Sequence, residues 1–317
     1  MKHAFRIFLF LFFFVVIYVF TLMFFSKFQI NDKSLLQSIS NYNVRAGVGG
    51  QTLRRFREIN EVNNVDILFI GSSHTYRGFD PRIFASYGYT SYNMGSSAQT
   101  PLNTYFLLKR YLKQINPKLV VFEIYPLLLS KDGLESYFDL VTNIPISYNI
   151  LEMAFAVKNP HALHILVKNQ LDQLKAPLSS INQNEVENEI YISGGYCETK
   201  FTQNRGLTNI LTKGKGSVKP SEKQIEYVRK IIKFVKEKCG SNIIIVTQPL
   251  PHEYVEATNN YFEITEKIAE IANEREVKYI DYNKIVKFNS MTDFFDNDHL
   301  TSSGVKKFNM LLLHDLK

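Results

Sequence analysis

The sequence predicts an α/β protein, a three-layer α/β/α sandwich around a central parallel sheet, with one N-terminal transmembrane helix and an inserted, mostly helical segment. Three observations predict it. Short apolar runs bounded by turn residues recur near residues 65–70, 118–124, 242–248 and 277–281, as buried strands do. Segments with 3.6-residue apolar spacing alternate with them, which implies parallel strands joined by right-handed helical crossovers. Ahead of both lies a run from Ile7 to Phe25 that is almost wholly apolar.

That run reads IFLFLFFFVVIYVFTLMFF and is interrupted only by Tyr18 and Thr21. Its length suits a hydrocarbon core about 30 Å thick. A soluble core does not accept phenylalanine on every face of a helix. A cleaved signal has a shorter apolar region that ends in small residues, whereas this one runs into Phe24-Phe25-Ser26-Lys27. Residues 7–25 are therefore expected to be an uncleaved anchor behind a cytoplasmic tail, residues 1–6. Lys2 and Arg6 precede the span and favour a cytoplasmic amino terminus, while Lys27 and Lys33 beyond it weaken that bias. The remainder is then extracytoplasmic, in a periplasmic or extracellular setting.

Residues 26–61 read as a polar juxtamembrane segment, with Gly47, Gly49 and Gly50 before a basic run at Arg54-Arg55. The α/β domain is expected over residues 62–317. Its first strand, VDILFI, stops at Gly71-Ser72-Ser73-His74, and after a short loop Asp80 caps a helix with Pro81 at its first position. A strand near Thr90–Asn93 leads to the loop Met94–Thr100, a helix from Pro101 to about Ile115, and the strand KLVVFEI. The rhythm then breaks. Residues 127–219 form an insertion or lid, with helical pieces around Ile150–Leu174, a turn at Gly194-Gly195 and a hinge at Lys213–Ser217. It resumes with a helix from Ser221 to Lys238, whose Ile225, Val228, Ile231, Ile232 and Val235 share one face, stopped by Gly240. The strand NIIIVTQ, a helix over 260–275, the strand VKYID and a last helix capped by Thr301 or Ser302 complete the domain.

A formal charge of +7 suits anionic lipid or cell-wall polymer. The basic residues are spread over ordinary amphipathic helices with no arginine-rich run, so nucleic acid is not an expected partner. Cys197 and Cys239 are free to pair or not outside the cytoplasm; their spacing leaves both open.

In an open parallel sheet, ligands bind beyond the carboxyl ends of the strands. Ser73, the 94–100 loop, Pro126, Gln248-Pro249 and the segment Phe294–Gly304 all fall at that edge. A serine hydroxyl needs a neutral imidazole to attack an acyl group, and the imidazole needs a carboxylate to orient it. Ser73, His299 and Asp296 supply these roles. Gly-Ser-Ser alone is ordinary turn sequence and Asp-x-x-His is common by chance; together they are informative. The developing oxyanion calls for fixed donors, and the N–H of Ser73 with those of the loop Gly95–Ala98 are the candidates. His74, Arg77, Asn103 and Gln248 are candidate substrate contacts. Asp293, Asp296, Asp298 and His299 offer a metal-site alternative, but no second histidine lies near them, so neither metal nor cofactor is expected.

These blocks resemble the SGNH/GDSL hydrolase superfamily. Gly71-Ser72-Ser73 is similar to its Gly-Asp-Ser block, Asn93–Thr100 to its second block and Asp296-Asn297-Asp298-His299-Leu300 to its terminal block. The resemblance implies a flavodoxin-like sheet and the triad Ser73, His299 and Asp296. Three departures stand out. Ser72 replaces the aspartate, Ala98 stands at the oxyanion glycine, and Glu123-Ile124-Tyr125-Pro126 replaces Gly-x-Asn-Asp, leaving Gln248 or Asn103 as stand-in donors. With these departures, the anchor and the insertion, the chain is similar to a divergent branch that includes the D-alanyl-lipoteichoic acid biosynthesis and alginate O-acetyltransfer SGNH-like proteins. That branch implies a serine esterase or O-acyltransferase acting on acyl esters of a cell-envelope polysaccharide. It also implies a glycan or lipid-linked acyl donor as partner, and a multi-spanning membrane acyltransferase beside it. A second reading is a catalytically inactive relative that binds polymer or scaffolds such a complex.

Overall fold

The apolar runs pair into one parallel sheet. A computed structural model describes residues 2–27, 29–30, 33–34, 46–47, 50–183, 185–205, 216–239 and 242–316. Along the chain lie α1 (Lys2–Lys27), α2 (Thr52–Glu58), β1 (Ile67–Gly71), α3 (Ser73–Gly78), α4 (Pro81–Ser86), β2 (Ser91–Gly95) and α5 (Pro101–Ile115). Then come β3 (Leu119–Glu123), α6 (Leu134–Asn143), α7 (Tyr148–Val157), α8 (Pro160–Lys175), β4 (Glu189–Ile192) and β5 (Tyr196–Thr199). The chain ends with α9 (Glu222–Cys239), β6 (Asn242–Thr247), α10 (His252–Glu256), α11 (Tyr261–Glu274), β7 (Lys278–Asp281) and α12 (Ser302–Asp315).

The central sheet has the order β2-β1-β3-β6-β7 with every pair parallel, and β4 with β5 forms a separate antiparallel hairpin. Both faces of the sheet are apolar because both are covered. Leu68, Ile70, Val120, Phe122, Ile243 and Ile245 point into a core shared with α5, α6, α7, α9 and α11. Ile67, Phe69, Val121 and Val246 point into a second core with Phe79, Phe84 and the α12 residues Val305, Phe308 and Leu312. Phe69 stacks on Phe79 at 4.1 Å between ring centres and 9° between planes. Each such fully buried large side chain contributes about 1.5–3 kcal/mol. The chain winds outward in both directions from β1 and β3, so the cleft between those two strand ends is the topological switch point.

Two expectations change, and the state of one cysteine, left open by the sequence, is settled. Residues 52–61 belong to the domain, not to a juxtamembrane segment: Leu53, Phe56 and Ile59 are buried, and Arg55 of the basic run is fully enclosed. Its guanidinium bonds the carbonyls of Gly95 (Nε, 2.9 Å) and Gly50 (Nη2, 2.7 Å) and covers the Tyr76 ring at 4.1 Å. The insertion is built into the first core rather than laid over it. Phe138, Leu140 and Val141 of α6, Ile150 and Met153 of α7, and Ile165 of α8 are all buried there. Cys197 is a buried free thiol within reach of Arg55 Nη1 (3.6 Å) and the Gly50 carbonyl (3.7 Å), and the side chain of Cys239 lies outside the described residues. Residues 213–215 of the expected hinge lie outside the described residues, and Gly194-Gly195 makes the turn between β4 and β5 with φ of +93° and +78°.

α1 is long and apolar enough to cross a membrane, over Lys2–Phe25. Near its end Tyr18 meets His164 of α8, ring centres 5.9 Å apart.

Candidate active site

Gly71 closes β1 with φ +147°, and a Cβ there would sit 2.5 Å from Glu123 Oε2, so only glycine fits the corner. The chain then turns straight into α3 without the expected loop. Ser72 is the N-cap, its hydroxyl accepting from the N–H of His74, and Ser73 is the first helical residue. An N–H at that position has no intrahelical acceptor, which leaves the Ser73 amide available as an oxyanion donor.

From the far end of the chain, the segment before α12 folds back over this corner. Asp296 Oδ1 accepts from the backbone N–H groups of Asp298 (3.0 Å) and His299 (2.8 Å), curling the loop. Phe294 and Leu300 bridge across it, and Asn204 Nδ2 holds the Asp296 carbonyl at 2.8 Å. His299 is thereby delivered with Nε2 2.8 Å from Ser73 Oγ and Nδ1 2.9 Å from Asp296 Oδ2. Residues 226 positions apart meet in one hydrogen-bonded line.

The same Nδ1 also lies 3.0 Å from Asp298 Oδ1, so two carboxylates share it. Asp298 Oδ2 in turn accepts from the Tyr125 hydroxyl at 2.9 Å, and that hydroxyl also bonds Tyr254. Burial disfavours the His299 imidazolium, but the charges of Asp298 and Asp296 and their hydrogen bonds outweigh it and raise its pKa to about 9.

The other candidates fall into place around this line. His74 lies against it, buried, with its ring 4.9 Å from that of His299 and 4.3 Å from that of Tyr125. Gly95 ends the neighbouring strand so close that a Cβ there would be 2.6 Å from the Ser72 carbonyl oxygen. The loop beyond it is pinned by the insertion: Ser96 Oγ meets Ser136 Oγ (2.9 Å), and the Ser97 N–H donates to Asp139 Oδ2 (3.1 Å). Ala98 takes φ +48°, the left-handed region that glycine fills at no steric cost. Ala98→Gly is expected to raise stability by about 0.5–1 kcal/mol, measured by urea denaturation; a loss of stability would show that the methyl packs usefully.

Two candidates are not at the site. Asn103 is buried at the start of α5, its oxygen accepting from Thr100 N (3.2 Å) and its Nδ2 donating to the Gly133 carbonyl (3.0 Å). Gln248 packs on Gly78 and donates from Nε2 to the His74 carbonyl at 3.0 Å. Both amides are spent on the scaffold, so neither stands in as a side-chain oxyanion donor. Arg77 pairs with Glu189 of the hairpin, which ties β4 to α3.

Glu123 and Tyr125 were not singled out from the sequence as site residues, and Asp298 entered there only as one member of the alternative metal group. A carboxylate ending the apolar run LVVF is the one signal that pointed to Glu123. His74, Asp298 and His299 also bring ligand-type atoms within 4.8 Å of one another, but His299 Nε2 and Nδ1 are already engaged by Ser73 and the two carboxylates.

No protein-family model matches the chain, and no curated protein does. Solved structures align over most of its length. A putative acylhydrolase from Bacteroides fragilis is 13% identical, with 85% of this chain and 98% of that one covered and a TM-score of 0.41. A GDSL-like lipase from Bacteroides thetaiotaomicron is 13% identical, with 84% and 99% covered and a TM-score of 0.41. The acetyl xylan esterase AlAXEase is 10% identical, with 79% and 99% covered and a TM-score of 0.42. At such likeness the chemistry of this site rests on its own geometry.

Proposed function

We propose that the chain is a membrane-anchored, extracytoplasmic serine esterase or O-acyltransferase of the SGNH/GDSL kind, acting on acyl esters of a cell-envelope polysaccharide. The observation that carries this reading is the continuous line from Ser73 Oγ through His299 to Asp296. In acylation, neutral His299 takes the Ser73 proton at Nε2 as Oγ bonds to the acyl carbon. The tetrahedral oxyanion is met by the Ser73 N–H and by the loop Gly95–Ala98. The intermediate collapses as His299 returns the proton to the departing alcohol, leaving an acyl-serine. A water or a sugar hydroxyl then repeats the steps in reverse order, giving hydrolysis or transfer.

The anchor reading draws support from α1, and from α7, whose Tyr148, Leu151 and Phe155 are exposed at helical spacing. A glycan or lipid-linked acyl donor and a neighbouring multi-spanning acyltransferase fit an active site held near the bilayer. The inactive, polymer-binding reading draws on the third strand, which ends in Glu123-Ile124-Tyr125-Pro126 with no amide side chain for the oxyanion.

The test is to treat the full chain in detergent with 4-nitrophenyl acetate and to follow the protein by intact mass and peptide mapping. A burst of nitrophenol with an acetyl group on Ser73 supports the enzyme, and an added oligosaccharide that accelerates loss of the adduct and becomes acetylated identifies transfer. A folded protein with neither burst nor adduct would favour the binding role.

A further inference from the structure

Beneath the Ser73 line lies a second set of serine, histidine and acid. Glu123, 2% exposed at the end of β3, accepts at Oε2 from the Ser72 N–H (2.9 Å), lies 2.9 Å from Ser72 Oγ and is 3.5 Å from the Thr75 hydroxyl. Its other oxygen, Oε1, is buried and finds no partner among the described residues. Ser72 Oγ lies 3.2 Å from His74 Nδ1, and His74 Nε2 lies 3.0 Å from the Asp298 backbone carbonyl. Asp298 is the residue whose carboxylate grips His299.

Counting protons decides the state of this chain. A carbonyl only accepts, so the Asp298 contact places a proton on His74 Nε2. Burial and the adjacent His299 charge push the His74 pKa down to about 4, so the ring is neutral and Nδ1 must accept. Ser72 supplies that proton and has no other to give. Its contact with Glu123 therefore closes only if Glu123 is the carboxylic acid, donating to Ser72 Oγ. An ionised Glu123 beside a neutral His74 would leave one of the two contacts with no proton. Burial, opposed by the Ser72 N–H, lifts the Glu123 pKa to about 7, and a neutral acid also leaves Oε1 a cheaper orphan than a carboxylate would.

We propose that Glu123, Ser72 and His74 form a relay under the Ser73–His299–Asp296 line, in which the acid proton of Glu123 sets the tautomer of His74 and so positions Asp298 and His299. These are positioning residues: none touches the reacting atoms. Ser72 stands where the resembled block has aspartate, and Glu123 brings a carboxyl to the same corner from the neighbouring strand. This inference rests on His299 serving Ser73, and the test separates the two.

The experiment uses the full chain labelled with ¹⁵N-histidine, together with Ser72→Ala, Glu123→Gln and the double variant. In the wild type at pH 6, His74 is expected neutral with its proton on Nε2; a proton on Nδ1, or a protonated His74, overturns the relay. Neither half of a glutamine can both accept from the Ser72 N–H and donate to its hydroxyl. Each single variant should therefore lower kcat for 4-nitrophenyl acetate by about 10–100-fold, with KM changed less than about two-fold. The double variant should lose no more than the worse single one, as members of one unit do. Additive losses, or full activity in either single variant, overturn it. If the wild type turns over no ester at all, the esterase reading fails, and the tautomer measurement still decides the relay.

Discussion

Ser73→Ala is expected to lower kcat for ester cleavage by about 10⁴–10⁶-fold, and to abolish the covalent adduct. The size follows from what the hydroxyl does: its oxygen is the atom that bonds the acyl carbon, and it lies 2.8 Å from His299 Nε2. The fold should not change. Ser73 is only partly buried, and alanine is a good residue for the first turn of α3. The check is a burst assay beside a thermal melt. Activity within ten-fold of wild type in a folded Ser73→Ala protein would remove this serine from the mechanism and point to a different nucleophile. Asp296→Asn should cost far less than it does in a triad with one carboxylate, because Asp298 remains on Nδ1 at 3.0 Å.

The second large effect concerns pH. His299 works as a base only when neutral, yet Asp298 and Asp296 hold its imidazolium up to about 9. The sign is direct: deprotonation creates the active form, so kcat/KM should climb with pH through neutrality and level off only near 9. Asp298→Asn removes the first of the charges that raise it. The rising limb should then move down by about 1–2 pH units, with a gain in kcat/KM at pH 7. Substrate binding that expels water would strengthen the same charges. A wild-type limb near 6.5, or one that Asp298→Asn leaves in place, would show that the second carboxylate does not govern the base.

Much of the site was legible in the sequence because its elements announce themselves locally. An apolar strand that stops at Gly-Ser-Ser and a late Asp-x-x-His can be read from residue types, and the structure brings Ser73, His299 and Asp296 within hydrogen-bond reach. Asn103 shows where such reading stops. A polar residue just inside a helix can face a ligand or cap the helix, and only its partners, Thr100 and Gly133, show that it caps. Arg55 is the same lesson in reverse. It sits in a run with Arg54 and Arg57 that reads as a solvated basic stretch, yet its guanidinium is sealed inside, satisfied by the Gly95 and Gly50 carbonyls.

The sequence by itself determined the α/β rhythm, the long apolar α1 and the edge of the sheet where the chemistry gathers. Periodicity and strand-end position are properties of a local stretch of chain, and burial of both sheet faces enforces them. Only the tertiary structure decided that β3 lies beside β1, which places Glu123 under the Ser72–Ser73 corner and Tyr125 on Asp298. It alone decided that His299 faces two carboxylates rather than one. Those pairings join residues 51 to 226 positions apart, and nothing in a local pattern encodes which strand packs next to which.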